Sequence, residues 1–263
     1  MVRHTVHGIT LYEFETLAGQ MGLCHAISTR LGGVSPPPFA SLNLTSARGD
    51  APERVRENVR RLCEAVGLSP ADLVSPQQVH GAQIVRVGKE MCGRILSDCD
   101  GVVTDEPNVG LLLRFADCVP LIIYDPAHHA VGVAHAGWRG TIAGIAAALV
   151  RTMKAVFRSQ PAELIAGIGP AIGPCCYQVG PEVAEKAAVA FGMADGILLT
   201  RADGSLYLDL WEANRYSLVQ AGVYQIEIAG LCTACHTEEF YSHRAENGRT
   251  GHHGVLAYLR GSS

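Results

Sequence analysis

Between Gly101 and Phe157 the chain spells "GVVT", "GLLLRF", "CVPLIIYD" and "AVGVAHA", then "GTIAGIAAALVRTMKAVF". The first four are short apolar runs without polar alternation. That pattern predicts strands covered on both faces, whereas a sheet with one wet side would alternate. The fifth segment has the periodicity of a helix. Strands buried on both faces and followed directly by a helix restrict the chain to an α/β architecture with a mixed sheet. Apolar residues make up 48% of the 263 positions, enough to build the large core that such layers need.

The pattern extends in both directions. "QIVRV", "ELIAGIG" and "YQIEIAG" read as further strands, and "PEVAEKAAVAF" and "DLWEANRYSLVQAG" as helices, the latter with Asp209 as cap and Glu212 at the third position. Upstream, Asp50 and Glu53 have the spacing of a helix start before "APERVRENVRRLCEAVG". There Val55, Val59, Leu62, Cys63 and Val66 form one apolar face and Gly67 ends the helix. Cys63 is thereby a core residue. No repeat or low-complexity tract appears. The Pro cluster "SPPPF" at 35–39 lies in a Gly-rich loop too early to separate domains, so residues 1–263 are expected to form one domain.

Charge excludes some partners. Lys and Arg total 21 against 25 Asp and Glu, with no basic stripe, which speaks against broad capture of nucleic acid or of an anionic membrane and for a small-molecule ligand. The opening "MVRHTVHGITLYEFETL" has no long apolar stretch, and the longest apolar run, around 142–150, is shorter than a membrane span. A cytoplasmic protein is expected, in which the nine cysteines stay thiols.

Several motifs fail on inspection. "GIGPAIG" at 167–173 spaces its glycines too widely for a dinucleotide fingerprint and is followed by "PCCY" where a helix would be required. Neither a phosphate-binding Gly-x-x-x-x-Gly-Lys loop nor a Gly-x-Ser-x-Gly elbow occurs. "CTACH", Cys232 to His236, has the form of a c-type haem attachment site, a chemistry of exported proteins. Its cysteines could pair with Cys175 and Cys176 as half of a zinc site, but adjacent cysteines are not expected to aim at one ion without strain.

A more promising set is spread over three strand ends: His80 in "SPQQVHGAQIV", Cys118 beside Asp117 in "FADCVPLIIY", and His135 where "AVGVAHA" gives out. Two imidazoles and a thiolate make a tetrahedral zinc set with one position open, the catalytic arrangement. The intervals of 38 and 17 residues require tertiary structure to gather the ligands. Two other readings stand beside it. In one, Cys118 packs in the core and the histidines bond to local carbonyls. In the other, Cys118 is a nucleophile and His135 its base, with Asp117 or another carboxylate orienting the imidazole and Arg114 or Arg139 favouring the thiolate. The residues alone leave these open.

"STRLGGVSPPPFASLNL", "QQVHGAQIV", "DGVVT", "ADCVPLIIYD", "VGVAHAGWRGT", "GIGPAIGPCCYQVGPEV", "YLDLWEANRYSLVQAGV" and "CTACHTEEFYSHR" stand in the order found in the YfiH-like family, which the chain resembles from about Ser28 to about Tyr258. That family has been labelled polyphenol oxidoreductase laccase and is also described as purine nucleoside phosphorylases. The resemblance implies a single catalytic domain with mixed β-sheets flanked by helices, layered α/β/β/α as in the cytotoxic necrotising factor and YfiH-like hydrolase fold. It implies a metal, zinc before copper, on His80, Cys118 and His135; Asp117, adjoining Cys118 in the chain, is the expected carboxylate near that metal, either catalytic or orienting a histidine. It also implies that Gly137 and Gly140 let the turn close against the site while Trp138 packs or stacks.

The activities implied are phosphorolysis of adenosine, inosine and 5'-methylthioadenosine to free base and ribose 1-phosphate, and deamination of adenosine by water activated on the metal. Arg30, Asn43, Arg139 and Arg244 are the expected phosphate and ribose contacts. The chain departs from the family at Ala245, where a second arginine is usual, at His252 and His253 after Thr-Gly, and at Arg114. Loss of an arginine at 245 is expected to weaken phosphorolysis relative to deamination. The alternatives are a Cys118–His135 thiol hydrolase acting on cell-wall precursors, as in peptidoglycan editing, a zinc-stabilised binding module, and a copper laccase. The last finds no paired His-x-His pattern among the eleven histidines.

Overall fold

The computed structural model describes residues 1–192 and 196–261. The chain opens with β1 (Val2–Val6), β2 (Ile9–Glu13), α1 (Glu15–Ala18) and β3 (Leu23–Ser28), and a long loop leads to α2 (Pro52–Val66). Then come β4 (Leu73–Pro76), β5 (Ile84–Arg86), β6 (Ile95–Leu96), β7 (Gly101–Thr104), β8 (Gly110–Phe115), β9 (Val119–Asp125) and β10 (Ala130–Ala136), followed by α3 (Trp138–Ile142) and α4 (Ile145–Phe157). The last part holds β11 (Ile165–Ile168), β12 (Gln178–Val179), α5 (Pro181–Phe191), β13 (Leu198–Thr200), β14 (Leu206–Leu208), α6 (Leu210–Gln220), β15 (Gln225–Ile228) and β16 (His253–Leu259).

Among the described residues these strands form a seven-stranded sheet in the order β1-β2-β3-β16-β8-β4-β6 and a six-stranded sheet in the order β15-β11-β9-β10-β7-β5. A small sheet is ordered β12-β14-β13. Both large sheets are mixed: β4 runs parallel to β8, and β5 to β7, beside antiparallel neighbours such as β9 and β10.

Side-chain alternation explains the layering. Leu111, Leu113 and Phe115 of β8 share one core with Ile122 and Tyr124 of β9 and Val131 and Val133 of β10, so the two large sheets face each other. The residues in between point outward. Leu112 and Leu256 pack on Leu62 and Cys63 of α2, whereas Leu121 and Ala134 pack on Leu149, Val150 and Met153 of α4 and on α5 and α6. The result is the α/β/β/α sandwich. Every residue of β9, β10 and β16 is buried, which is why their sequences carry no polar alternation.

The expected elements coincide with β7, β8, β10 and α5. Asp209 caps α6 by accepting the Glu212 N–H at 3.0 Å. Gly67 closes α2 with φ +75°, its N–H directed to the Cys63 and Glu64 carbonyls. Two expectations change. The single helix expected over 140–157 is two, α3 and α4, because Gly144 takes a left-handed conformation between them. Asp50 does not cap α2, which starts at Pro52 after Ala51. Its buried carboxylate instead accepts from Ser35 Oγ at 2.6 Å, Asn43 Nδ2 at 2.8 Å and the Ala51 N–H at 2.9 Å, fastening the Pro-rich loop. Among the described residues no helix is long and apolar enough to cross a membrane.

Candidate metal centre

The chain passes from the seven-stranded to the six-stranded sheet between β4 and β5, between β6 and β7 and between β8 and β9. His80 sits in the first of these crossings and Cys118 in the third, while His135 is the penultimate residue of β10. These two crossings meet the end of β10, and one donor atom from each of the three residues lies within 4.8 Å of the others. The His80 and His135 rings stand edge to face with centres 4.8 Å apart. Phe115 closes the apolar side, 5.4 Å from the His135 ring. The expected triple is thus brought together.

The residue that organises it is Asp100, which lies immediately before β7 and was not among the expected site residues. His135 Nδ1–H donates to Asp100 Oδ1 at 2.9 Å, leaving Nε2 as the free ring nitrogen. The same carboxylate accepts the backbone N–H groups of Val79 at 3.1 Å, His80 at 2.8 Å and Gly81 at 2.7 Å. These bonds support a left-handed backbone at His80, φ +64°, which a non-glycine residue adopts only at a cost. Burial works against the charge of Asp100. The bond from His135 and those from the Gly81 and His80 N–H groups outweigh it and hold the carboxyl below its usual range.

Asp117 does something different from what was expected. Its backbone is left-handed, φ +84°. Oδ1 accepts from Thr233 Oγ1 at 2.7 Å, Oδ2 accepts the Arg244 N–H at 2.6 Å, and the Asp117 carbonyl accepts the Ile172 N–H at 2.9 Å. Its carboxylate therefore ties together the loops behind Cys118, and orienting the histidine falls to Asp100.

The glycines behave as expected. A Cβ on Gly137 would lie 2.9 Å from Cys118 Sγ and 3.1 Å from His80 Cδ2, so glycine there leaves room for two of the three donors. A Cβ on Gly140 would meet the Gly81 carbonyl oxygen at 2.6 Å, so that glycine lets α3 close against the His80 turn.

Among the protein's own groups, Cys118 and His135 act on each other's titration. Burial opposes the Cys118 thiolate, but the His135 and His80 imidazoles outweigh it and bring the thiol down to about 6. Burial likewise opposes a charged His135, and the Cys118 sulfur and Asp100 raise it to about 9. A divalent cation needs the thiolate and a neutral imidazole, so binding one here would displace the proton from His135 Nε2.

Around the set lie cations and an aromatic ring. The Tyr177 hydroxyl is pushed up to about 12 by burial and by the negative charge at Cys118, with Arg244, Asp117 and Arg139 also acting on it, so these groups share one neighbourhood. The Arg244 guanidinium carbon sits 5.1 Å from the Tyr177 ring centre and Nη1 donates to the Gln178 carbonyl at 3.0 Å. Arg139 is exposed and stacks on Trp138 at 4.4 Å. His252 is pushed down to about 3 by burial and by Arg48, His135 and Arg114. Tyr177 escaped the sequence reading although it stands in the "PCCYQV" block.

Two expected substrate contacts are committed elsewhere. Asn43 is fully buried. It donates to the Thr45 carbonyl and to Asp50, and accepts the N–H groups of Thr45 and His252. Arg30 donates to the Ala40 and Thr237 carbonyls and pairs with Glu246 at 3.1 Å. Both are braces for the loops at the rim. Arg114 donates Nε–H to the Leu44 carbonyl, and burial lowers its pKa.

The expectation about adjacent cysteines is also corrected. Cys175, Cys176, Cys232 and Cys235 converge, with all four sulfurs within 4.8 Å of one another.

A family profile described as "Multi-copper polyphenol oxidoreductase laccase" matches residues 24–260. "Purine nucleoside phosphorylase YlmD" of Geobacillus stearothermophilus is 39% identical, over 90% of this chain and 90% of the relative. "Purine nucleoside phosphorylase YfiH" of Escherichia coli is 36% identical, over 86% and 89%. The crystal structure of the Geobacillus YlmD superposes with a TM-score of 0.92 at 36% identity, covering 98% of both chains. That of a Bacillus licheniformis protein titled hypothetical protein YfiH gives 0.89 at 37%, covering 96% and 97%. With a matched profile over nearly its whole length and relatives well above 30% identity, the chain belongs to the YfiH/YlmD family, the laccase-like family of the matched profile.

Proposed function

We propose that this chain is a metal-dependent purine nucleoside phosphorylase that also deaminates adenosine, with zinc held by His80, Cys118 and His135. The observation that carries the reading is the convergence of those three donors, with Asp100 fixing the tautomer of His135 and Gly137 leaving space for the sulfur. Two imidazoles and one thiolate suit zinc and leave one position for a reactant. Zinc bound there would supply Lewis acidity at a fixed point.

The chain's own groups supply the rest. In phosphorolysis a phosphate oxygen bonds to the ribose anomeric carbon as the glycosidic C–N bond breaks and its electron pair leaves with the purine. Arg244 and Arg139, around Tyr177, are the cations that would offset phosphate charge. The Tyr177 hydroxyl, pushed up to about 12, stays protonated at neutral pH and is available as a hydrogen-bond donor. Trp138 and Tyr177 offer aromatic surface to the base. The substrates we assign are adenosine, inosine and 5'-methylthioadenosine with inorganic phosphate. With Ala245 adding no cation, deamination should outweigh phosphorolysis. Because two of the three donors come from segments linking the two large sheets and the third from a strand of one of them, we also propose that residues 1–263 act as one catalytic domain. A thiolate ligand fits a reducing cytoplasm.

The test is incubation with adenosine or inosine, with and without phosphate, followed by chromatography. Adenine and ribose 1-phosphate appearing only with phosphate support phosphorolysis, and inosine formed from adenosine without phosphate supports deamination. Absence of all three products from the zinc-loaded protein would overturn the reading.

The mutual effect of Cys118 and His135, which favours the thiolate, supports one second reading, a thiol hydrolase acting on cell-wall precursors. That enzyme would be inactivated by alkylation and indifferent to chelators, whereas the zinc enzyme would be stopped by chelation. The donor sets found among the described residues, two histidines with one cysteine and four cysteines, lend little support to copper oxidase chemistry built on several histidine-rich sites.

A further inference from the structure

We propose that Cys175, Cys176, Cys232 and Cys235 form a second metal site, a structural tetrathiolate zinc centre that clamps two loops behind the first. Cys175 Sγ and Cys176 Sγ lie 3.6 and 3.4 Å from Cys235 Sγ, and all four sulfurs fall within 4.8 Å of one another. Zinc–sulfur bonds of about 2.3 Å in a tetrahedron place neighbouring sulfurs about 3.8 Å apart, whereas a disulfide brings them to about 2.05 Å. The spacing is that of ligands around one ion. The Gly173 N–H donates to Cys232 Sγ at 3.2 Å, the kind of bond that supports a ligating thiolate. Cys232 to Cys235 is a Cys-x-x-Cys turn, closed by the Cys235 and His236 N–H groups on the Cys232 carbonyl. Four sulfur donors with no open position make the structural kind of zinc site.

The location gives the site its purpose. The loop carrying Cys175 and Cys176 also carries Ile172, which donates to the Asp117 carbonyl, and Tyr177. The loop carrying Cys232 and Cys235 carries Thr233, which donates to the Asp117 carboxylate. Arg244 donates to the carbonyls of Cys176 and Gln178. An ion linking the two loops therefore fixes Asp117, the neighbour of Cys118, together with Tyr177 and Arg244. Binding exchanges thiol protons for zinc–sulfur bonds and releases those protons to solvent, with no electron transfer.

Native mass spectrometry of the full chain, purified under reducing conditions from zinc-supplemented cells, should show two zinc ions in the wild type. One should remain in His80→Ala and one in a Cys175→Ser/Cys235→Ser variant. Cobalt loaded into His80→Ala should give the intense near-ultraviolet sulfur-to-metal absorption of a thiolate centre, which needs no folded cysteine variant. A single zinc in the wild type that disappears in His80→Ala would overturn the proposal. So would a Cys175–Cys235 or Cys176–Cys235 disulfide in the reduced preparation, or iron or copper in place of zinc at these cysteines.

Discussion

Asp100 and His135 are joined twice, by His135 Nδ1–H to Asp100 Oδ1 at 2.9 Å and by the His135 backbone N–H to the Asp100 carbonyl at 2.7 Å. The pair lies at one end of the β7–β10 ladder, where Ala134 is registered against Gly101. Ring orientation and strand register are therefore one constraint. Asp100→Asn keeps the size but removes the charge that holds the proton on Nδ1 and the acceptor geometry shared with His80. Metal affinity should fall about 10- to 100-fold, the usual consequence of losing the outer partner of a ligating histidine. Competition with a chromophoric chelator measures this, and unchanged affinity would remove Asp100 from the site.

Gly137→Ala adds one methyl group 2.9 Å from Cys118 Sγ and 3.1 Å from His80 Cδ2. The backbone there has φ −71°, so the substitution strains no dihedral and its effect is steric displacement of the donors. We expect zinc content at the His80 site and turnover to drop at least tenfold, with the melting temperature of the metal-free protein little changed. Elemental analysis and calorimetry together separate this outcome from misfolding.

Arg244→Ala removes a guanidinium stacked on Tyr177 but leaves the backbone N–H that Asp117 accepts. If Arg244 meets phosphate, KM for phosphate should rise by tenfold or more, about 1.4 kcal/mol, while deamination of adenosine is largely retained. Equal losses in both activities would assign it to loop structure instead.

Acid should destabilise this protein through its buried histidines. Burial pushes His25, which accepts the Phe14 N–H at 2.9 Å, down to about 4. Burial also pushes His253, packed against Phe115 and Phe240, down to about 3. Both folded values lie below the unfolded value of about 6.5, so the unfolded chain takes up protons first as pH falls. Stability is full above about pH 6.5. It then declines by about 1.4 kcal/mol per pH unit for each histidine, down to about pH 4 for His25 and about pH 3 for His253. Urea unfolding at successive pH values checks this, and His253→Phe should flatten the slope.

Some of this was legible in the sequence. Continuous apolar runs such as "GLLLRF" and "AVGVAHA" determine strands covered on both sides, because a residue of either parity must find apolar neighbours. That requirement calls for cover on both faces of the sheet, whereas the α/β/β/α layering was implied by the family resemblance. The donor types at His80, Cys118 and His135 were also readable, as was the need for glycine after His135. Tertiary structure decided which carboxylate serves the histidine. Asp117 adjoins Cys118 in the chain, but its left-handed backbone directs the carboxylate to Thr233 and Arg244, while strand register brings Asp100 from 35 residues away to His135. It also decided the gathering of four cysteines separated by about 60 positions. Sequence sets what each side chain can bond to, but reach depends on register and loop path, which are properties of the whole packed chain.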